Sequence, residues 1–200
     1  MKLRSCVCAA ALAAAAVSFT APAMGQISNL RQLTEAQNKE IFCLNEELQR
    51  DDDVFYLVMD AYFTGSDDEE AEAVAKKAID ACASRYNWDT GKRDLAAQAG
   101  FFTAAIDYLL EDLPSVAKGD VEAVDRVARK LTEDDAERFL RQDWLDDAAF
   151  LKRIETLLTA EKFSSNDSYD LETAYFILEA YVVQTTAAWQ FVETYINKKS

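Results

Sequence analysis

Two prolines and five glycines in 200 residues leave this chain few ways to end a helix and few ways to build a sheet. Glycine and proline are the main punctuation of strands and tight turns, and alanine is the best helix former. Here alanine is abundant, and no stretch sustains the alternation of apolar and polar residues that a half-buried strand requires. The reading is an all-α chain: a single-domain bundle of about seven to eight helices with crossed packing and one disulfide.

Helix starts can be read from caps. Thr34-Glu35-Ala36-Gln37 has the form of a capping box. The apolar stripe Leu30, Leu33, Ile41, Leu44, Leu48 extends to both sides of it. A first helix is therefore expected from near Ile27 to Arg50. Asp51-Asp52-Asp53 opens a short helix, Val54 to Thr64, closed by Gly65. Ser66-Asp67-Asp68-Glu69 reads as a second box, opening a helix to about Arg85 with the face Ala71, Val74, Ala75, Ala78, Ile79, Cys82. Asn87 to Gly91 is a turn. A long helix follows to Leu113, where Pro114 stops it. It carries Ala96, Ala97, Ala99, Gly100, Ala104 and Ala105, small residues that let another helix come close. Asp120 is expected to cap a helix to about Leu131. Thr132-Glu133-Asp134-Asp135 opens another, and one more runs from about Leu145 to Glu161. The last helix, Tyr169 to about Asn197, is apolar almost all round, as a central core helix is. No 20–50-residue repeat and no Pro-, Gly- or Ser-rich linker divides the chain, so residues 26–200 read as one domain.

The first 25 residues have the layout of a secretory signal peptide. Lys2 and Arg4 form a basic start. An apolar run from Cys6 to Phe19 is too short to span a bilayer, and the small residues Ala21, Ala23 and Gly25 follow. Cleavage is expected after Gly25, with a cut after Ala23 as the alternative. The expected location is periplasmic or secreted, with no membrane anchor after cleavage.

Export leaves two cysteines, Cys43 and Cys82. In an oxidising compartment an even pair reads as a disulfide. Closing a loop of about 39 residues stabilises by about 4 kcal/mol on the chain-entropy estimate. On a continuous first helix Cys43 lies about 200° round from Ile41. That places it off the apolar stripe, among Lys39, Glu46, Glu47 and Arg50. The helix carrying Cys82 must then cross the polar side of the first helix, with Phe42 beside the contact. A simple up-down-up layout would hold the two cysteines roughly 15–20 Å apart along the axis, whereas a bond needs Cα atoms within about 7 Å. Strongly crossed helices follow. With the bond at the edge of the first helix, reduction is expected to lower stability without abolishing the fold.

Composition excludes several functions. Removing Lys2 and Arg4 from 21 basic residues leaves 19 against 36 acidic ones, a formal charge of −17. Nucleic-acid binding is disfavoured; a cationic partner is allowed, while the plain reading of the charge is solubility. The chain has no histidine. There is thus no Ser-His-Asp or Cys-His nucleophile, no His-ligated zinc and no Glu-x-x-His di-iron site. No cofactor and no metal are expected. The acidic clusters Asp51–Asp53, Asp67–Glu70, Glu133–Asp135 and Asp146-Asp147 lack the ligand rhythm of a calcium loop. Three of them fall at helix starts, where a carboxylate caps free N–H groups.

Two features remain as weak site candidates. Glu179 interrupts the most apolar helix. A carboxyl desolvated there could donate a proton, and a two-carboxylate mechanism is the common hydrolytic route open without histidine. No partner acid can be named from the sequence. Tyr86 and Trp88 form an aromatic turn near the disulfide, a recognition edge or the seal of a core end. The leading functional expectation is a non-catalytic exported protein that binds another protein or a small apolar ligand; an inhibitor- or immunity-type protein is one form of it. The alternative is a carboxylate-based hydrolase acting on cell-wall polysaccharide.

Overall fold

The computed structural model describes residues 33–112, 118–141, 144–164 and 168–197. The signal peptide, its cleavage site and Pro114 lie outside the described residues. Among those described the chain is helical, without strands. Its elements are α1 (Glu35–Ile41), α2 (Cys43–Leu48), α3 (Asp52–Thr64), α4 (Glu69–Tyr86), α5 (Thr90–Asp112), α6 (Lys118–Ala128), α7 (Glu133–Arg141), a 3₁₀ turn (Trp144–Asp146), α8 (Ala148–Ala160), α9 (Ser168–Phe191) and a π-helical turn (Val192–Ile196).

The caps follow the local chemistry. Thr34 and Gln37 form the expected box, with Gln37 N donating to Thr34 Oγ1 and Thr34 N to Gln37 Oε1. Asp51 accepts from the N–H groups of Asp53 and Val54. Gly65 closes α3 at φ 73°, a left-handed conformation that costs glycine nothing. Three expectations are corrected. The cap of α4 is Asp68, not Ser66: its carboxylate accepts from Glu70 N and Ala71 N. Thr90 and Gly91 belong to α5, and Asp89 takes the N–H of Lys92 at 2.8 Å. Asp120 lies inside α6, which is already helical from Lys118; a cap must stand outside the helical turn it closes.

The expected first helix is broken. Phe42, at φ −102° and ψ 17°, separates α1 from α2. This accounts for one helix more than the sequence suggests. It also changes the setting of the disulfide. Cys43 and Cys82 are bonded with Cα atoms 5.9 Å apart, and α4 crosses the side of α2 that carries Cys43, as the spacing argument required. But both cysteines and Ile41 are fully buried. The bond is therefore interior, not at an edge. α5 covers the Ile41 and Leu44 side of the first two helices, and α4 covers the other. The closest approach is at Gly100, where a Cβ would stand 2.8 Å from Leu44 Cβ and 3.2 Å from Asn45 N.

α5 and α9 are the central pair. Ala96, Ala99, Ala187, Ala188 and Phe191 meet Ile41 at one end of the pair. Ala104, Ala105, Ala180 and Val183 meet α2 and α3 in the middle. Leu109, Ile177, Leu178 and Val182 meet α6, α7 and α8 at the other end. The all-round apolar sequence of α9 is thus accounted for by neighbours on every side.

Candidate functional site

All four acidic clusters supply helix caps. The one at Asp146-Asp147 caps α8 through Asp147, bonded to Ala149 N and Phe150 N, so the helix starts at Ala148 rather than near Leu145. Asp135 does more. It is buried and receives a two-pronged contact from Arg153, 2.7 and 2.8 Å, besides the Thr132 N–H at 2.9 Å. Burial pushes its carboxyl up, but Arg153 and Thr132 outweigh burial and hold it below the usual range. That ion pair closes one side of a cleft of about 420 Å³ between α7 and α8, with Arg138 held by Asp147 on the other. Each of these arginines already has a carboxylate.

Glu179 is 9% exposed. Burial pushes its carboxyl up to about 7, and a hydrogen bond from the Trp144 indole draws it partly back. Trp144 is itself buried, with its ring 5.4 Å from Phe176 and 6.1 Å from Tyr175. The sequence missed this indole partner because it lies 35 positions away, in the 3₁₀ turn. No other charged group shifts Glu179. Glu179 lines neither that cleft nor the cavity between α3, α4 and α5. The structure thus places Glu179 behind an indole, and among the described residues no carboxylate pairs with it.

Tyr86 and Trp88 stack on each other at 6.1 Å and 18°, either side of Asn87, which ends α4 in a left-handed conformation at φ 50°. Trp88 is half-buried and packs on the cluster formed by α1, α5 and the end of α9. Its Nε1 is buried without a hydrogen-bond acceptor among the described residues. A Glu47 carboxylate oxygen lies within 4.8 Å of both cysteine sulfurs. Those sulfurs are bonded to each other and so offer no thiolate to a metal.

The feature that sequence reasoning missed is a cavity of about 570 Å³ between α3, α4 and α5. Its apolar lining is Val58 and Tyr62 from α3, Ala75 and Ile79 from α4, and Ala97 and Phe101 from α5. Its origin is local. α4 is fixed at its C-terminal part by the disulfide, by Arg85 paired with Glu47, and by Arg93 on Asp80 at 2.7 Å. Toward its N-terminal part Ala71 is 2% exposed and also lines the cavity. Between these points the facing side chains on α4 and α5 include Ala75 and Ala97, and two alanines do not fill the gap between helix axes. The opening is rimmed by charged side chains: Glu69, Glu72, Lys76, Arg93 and Asp94. An apolar pocket of this size with a few polar groups at its mouth has the form of a small-molecule site.

No protein-family model, curated protein or solved structure matches the chain.

Proposed function

We propose that this is an exported, non-catalytic helical protein that binds a small apolar ligand in the cavity between α3, α4 and α5. The observation that carries the reading is the cavity itself: about 570 Å³, floored by apolar side chains and rimmed by charge. The position of Glu179 behind Trp144, outside both cavities, supports a binding role over acid-base hydrolysis. The basic, apolar and small-residue segments of the first 25 residues support export. Among the described residues no helix is long and apolar enough to cross a membrane. The large exposed apolar side chains, Tyr56, Leu145 and Tyr169, come from three separate segments.

The test is a titration with N-phenyl-1-naphthylamine, a neutral dye that brightens in apolar surroundings. The wild-type chain should give a saturable signal with one site. Ala75→Phe places a ring in the cavity and should remove that signal while leaving helicity unchanged. Absence of saturable binding, or binding unaffected by Ala75→Phe, would overturn the reading.

A further inference from the structure

We propose that the ligand of this cavity is a small amphiphilic cation, an alkyl or aryl chain carrying an amine or quaternary ammonium head. The inference rests on the cavity being a ligand site and goes on to name what enters it.

The floor explains the tail, and the rim explains the head. Two cations stand at the rim, Lys76 and Arg93, and both are already bound to one carboxylate. Asp80 takes Lys76 Nζ at 3.0 Å on one oxygen and Arg93 Nη2 at 2.7 Å on the other. Neither cation is left over for an anionic ligand.

The three rim acids are in the opposite position. Glu69, Glu72 and Asp94 are exposed and form no ion pair among the described residues. Glu69 and Glu72 lie in the first turn of α4, where acids also complement the helix dipole. That end already has its cap: Asp68 takes the N–H groups of Glu70 and Ala71 at 2.9 and 3.1 Å. The two glutamates are therefore in excess of what the helix end needs.

The lining adds a second attraction for a cation. Tyr62 and Phe101 meet edge to face with ring centroids 4.9 Å apart. Aromatic rings in a partly desolvated site attract an ammonium group. On the scale of the molecule, a formal charge of −15, or −17 without the first 25 residues, draws cations in and repels anions. An anionic amphiphile would meet acids that nothing neutralises, and a neutral one would leave them unused.

Three probes that share a tail and differ in head separate the possibilities: decyltrimethylammonium, decanol and decanoate, each titrated below its aggregation concentration and followed by calorimetry. The expected order is ammonium tightest, by at least tenfold over decanol, with decanoate weakest. In Glu69→Gln/Glu72→Gln the ammonium-to-decanol ratio should fall at least threefold, with decanol binding unchanged. Both substitutions are at exposed positions and leave Asp68 in place, and a circular-dichroism melt checks the fold. Equal binding of all three probes would overturn the cationic assignment and leave the apolar site standing. Binding of none would overturn the site and the assignment together. A preference for ammonium that survives in the double variant would overturn the role given to the rim glutamates.

Discussion

Glu179 and Gly100 show how one side chain can set a measurable property of the whole. Burial raises the Glu179 carboxyl to about 7, whereas in the unfolded chain a glutamate titrates near its ordinary value. The folded state therefore prefers the protonated form. The stability this gives is fully present below the unfolded pKa and is lost as pH rises to about 7. The shift corresponds to about 3 kcal/mol. Urea unfolding should show stability falling between pH 5 and 7.5, and Glu179→Gln should flatten that slope. A variant with the wild-type slope would contradict the assignment. Asp135 acts in the opposite sense, since its lowered carboxyl costs stability only when the pH falls into the acid range. The two windows do not overlap. At Gly100 the competing effects can be weighed. Alanine gains about 1 kcal/mol of helix propensity over glycine. Its Cβ would meet Leu44 Cβ at 2.8 Å and the α2 backbone at 3.2 Å. Backbone cannot rotate out of the way as a side chain can, and overpacking costs about 1–3 kcal/mol. Gly100→Ala should destabilise on balance, read as a lower urea midpoint. A higher midpoint would show that α2 can move.

At the scale of elements, the disulfide fixes where α4 lies. It is buried and ties α2 to α4 across a separation of 39 residues. Replacing both cysteines by alanine should cost about 4 kcal/mol. At about 2–4 °C per kcal/mol for a chain of this size, the melting temperature should drop by about 8–16 °C. A drop under about 2 °C would mean that α4 is held by its other contacts alone. Helix ends were legible in the sequence at Asp51, Gly65 and Thr132, but not at Asp68 or Asp147, where neighbouring Ser and Asp residues offer the same cap. The crossing of α4 over α2 was legible from cysteine spacing alone. The break at Phe42 was not, because nothing in the local sequence marks it: Phe42 takes φ −102° and ψ 17° inside an otherwise helical pattern. Nor was the cavity. The sequence shows Ala71, Ala75, Ile79 and Cys82 as one apolar face. Whether that face is covered depends on where the anchors at Cys82 and Arg93 hold the helix, which is a tertiary property. Glu179 was legible as an oddity in an apolar helix, while its partner Trp144 lies in a turn whose position only the fold defines.

The whole molecule combines a dense centre with one underfilled corner. α5 and α9 bury small and apolar residues along their length, with α6 to α8 packed around one end. α4 sits outside that pair, fixed at its C-terminal part and loosely filled beyond it. If a ligand enters that corner, the packing of α5 on α9 need not change. Binding should then stabilise by mass action, raising the melting temperature with ligand concentration. The central claim is that the space between α3, α4 and α5 is where a ligand goes. Its most direct test is the amide and methyl NMR spectrum of the labelled protein titrated with decyltrimethylammonium. The account predicts saturating shifts confined to Val58, Ala75, Ile79, Ala97 and neighbouring residues, with Glu179 and the α6–α8 methyl groups unmoved. Shifts centred on Glu179 and Trp144, or spread evenly over the surface, would contradict it.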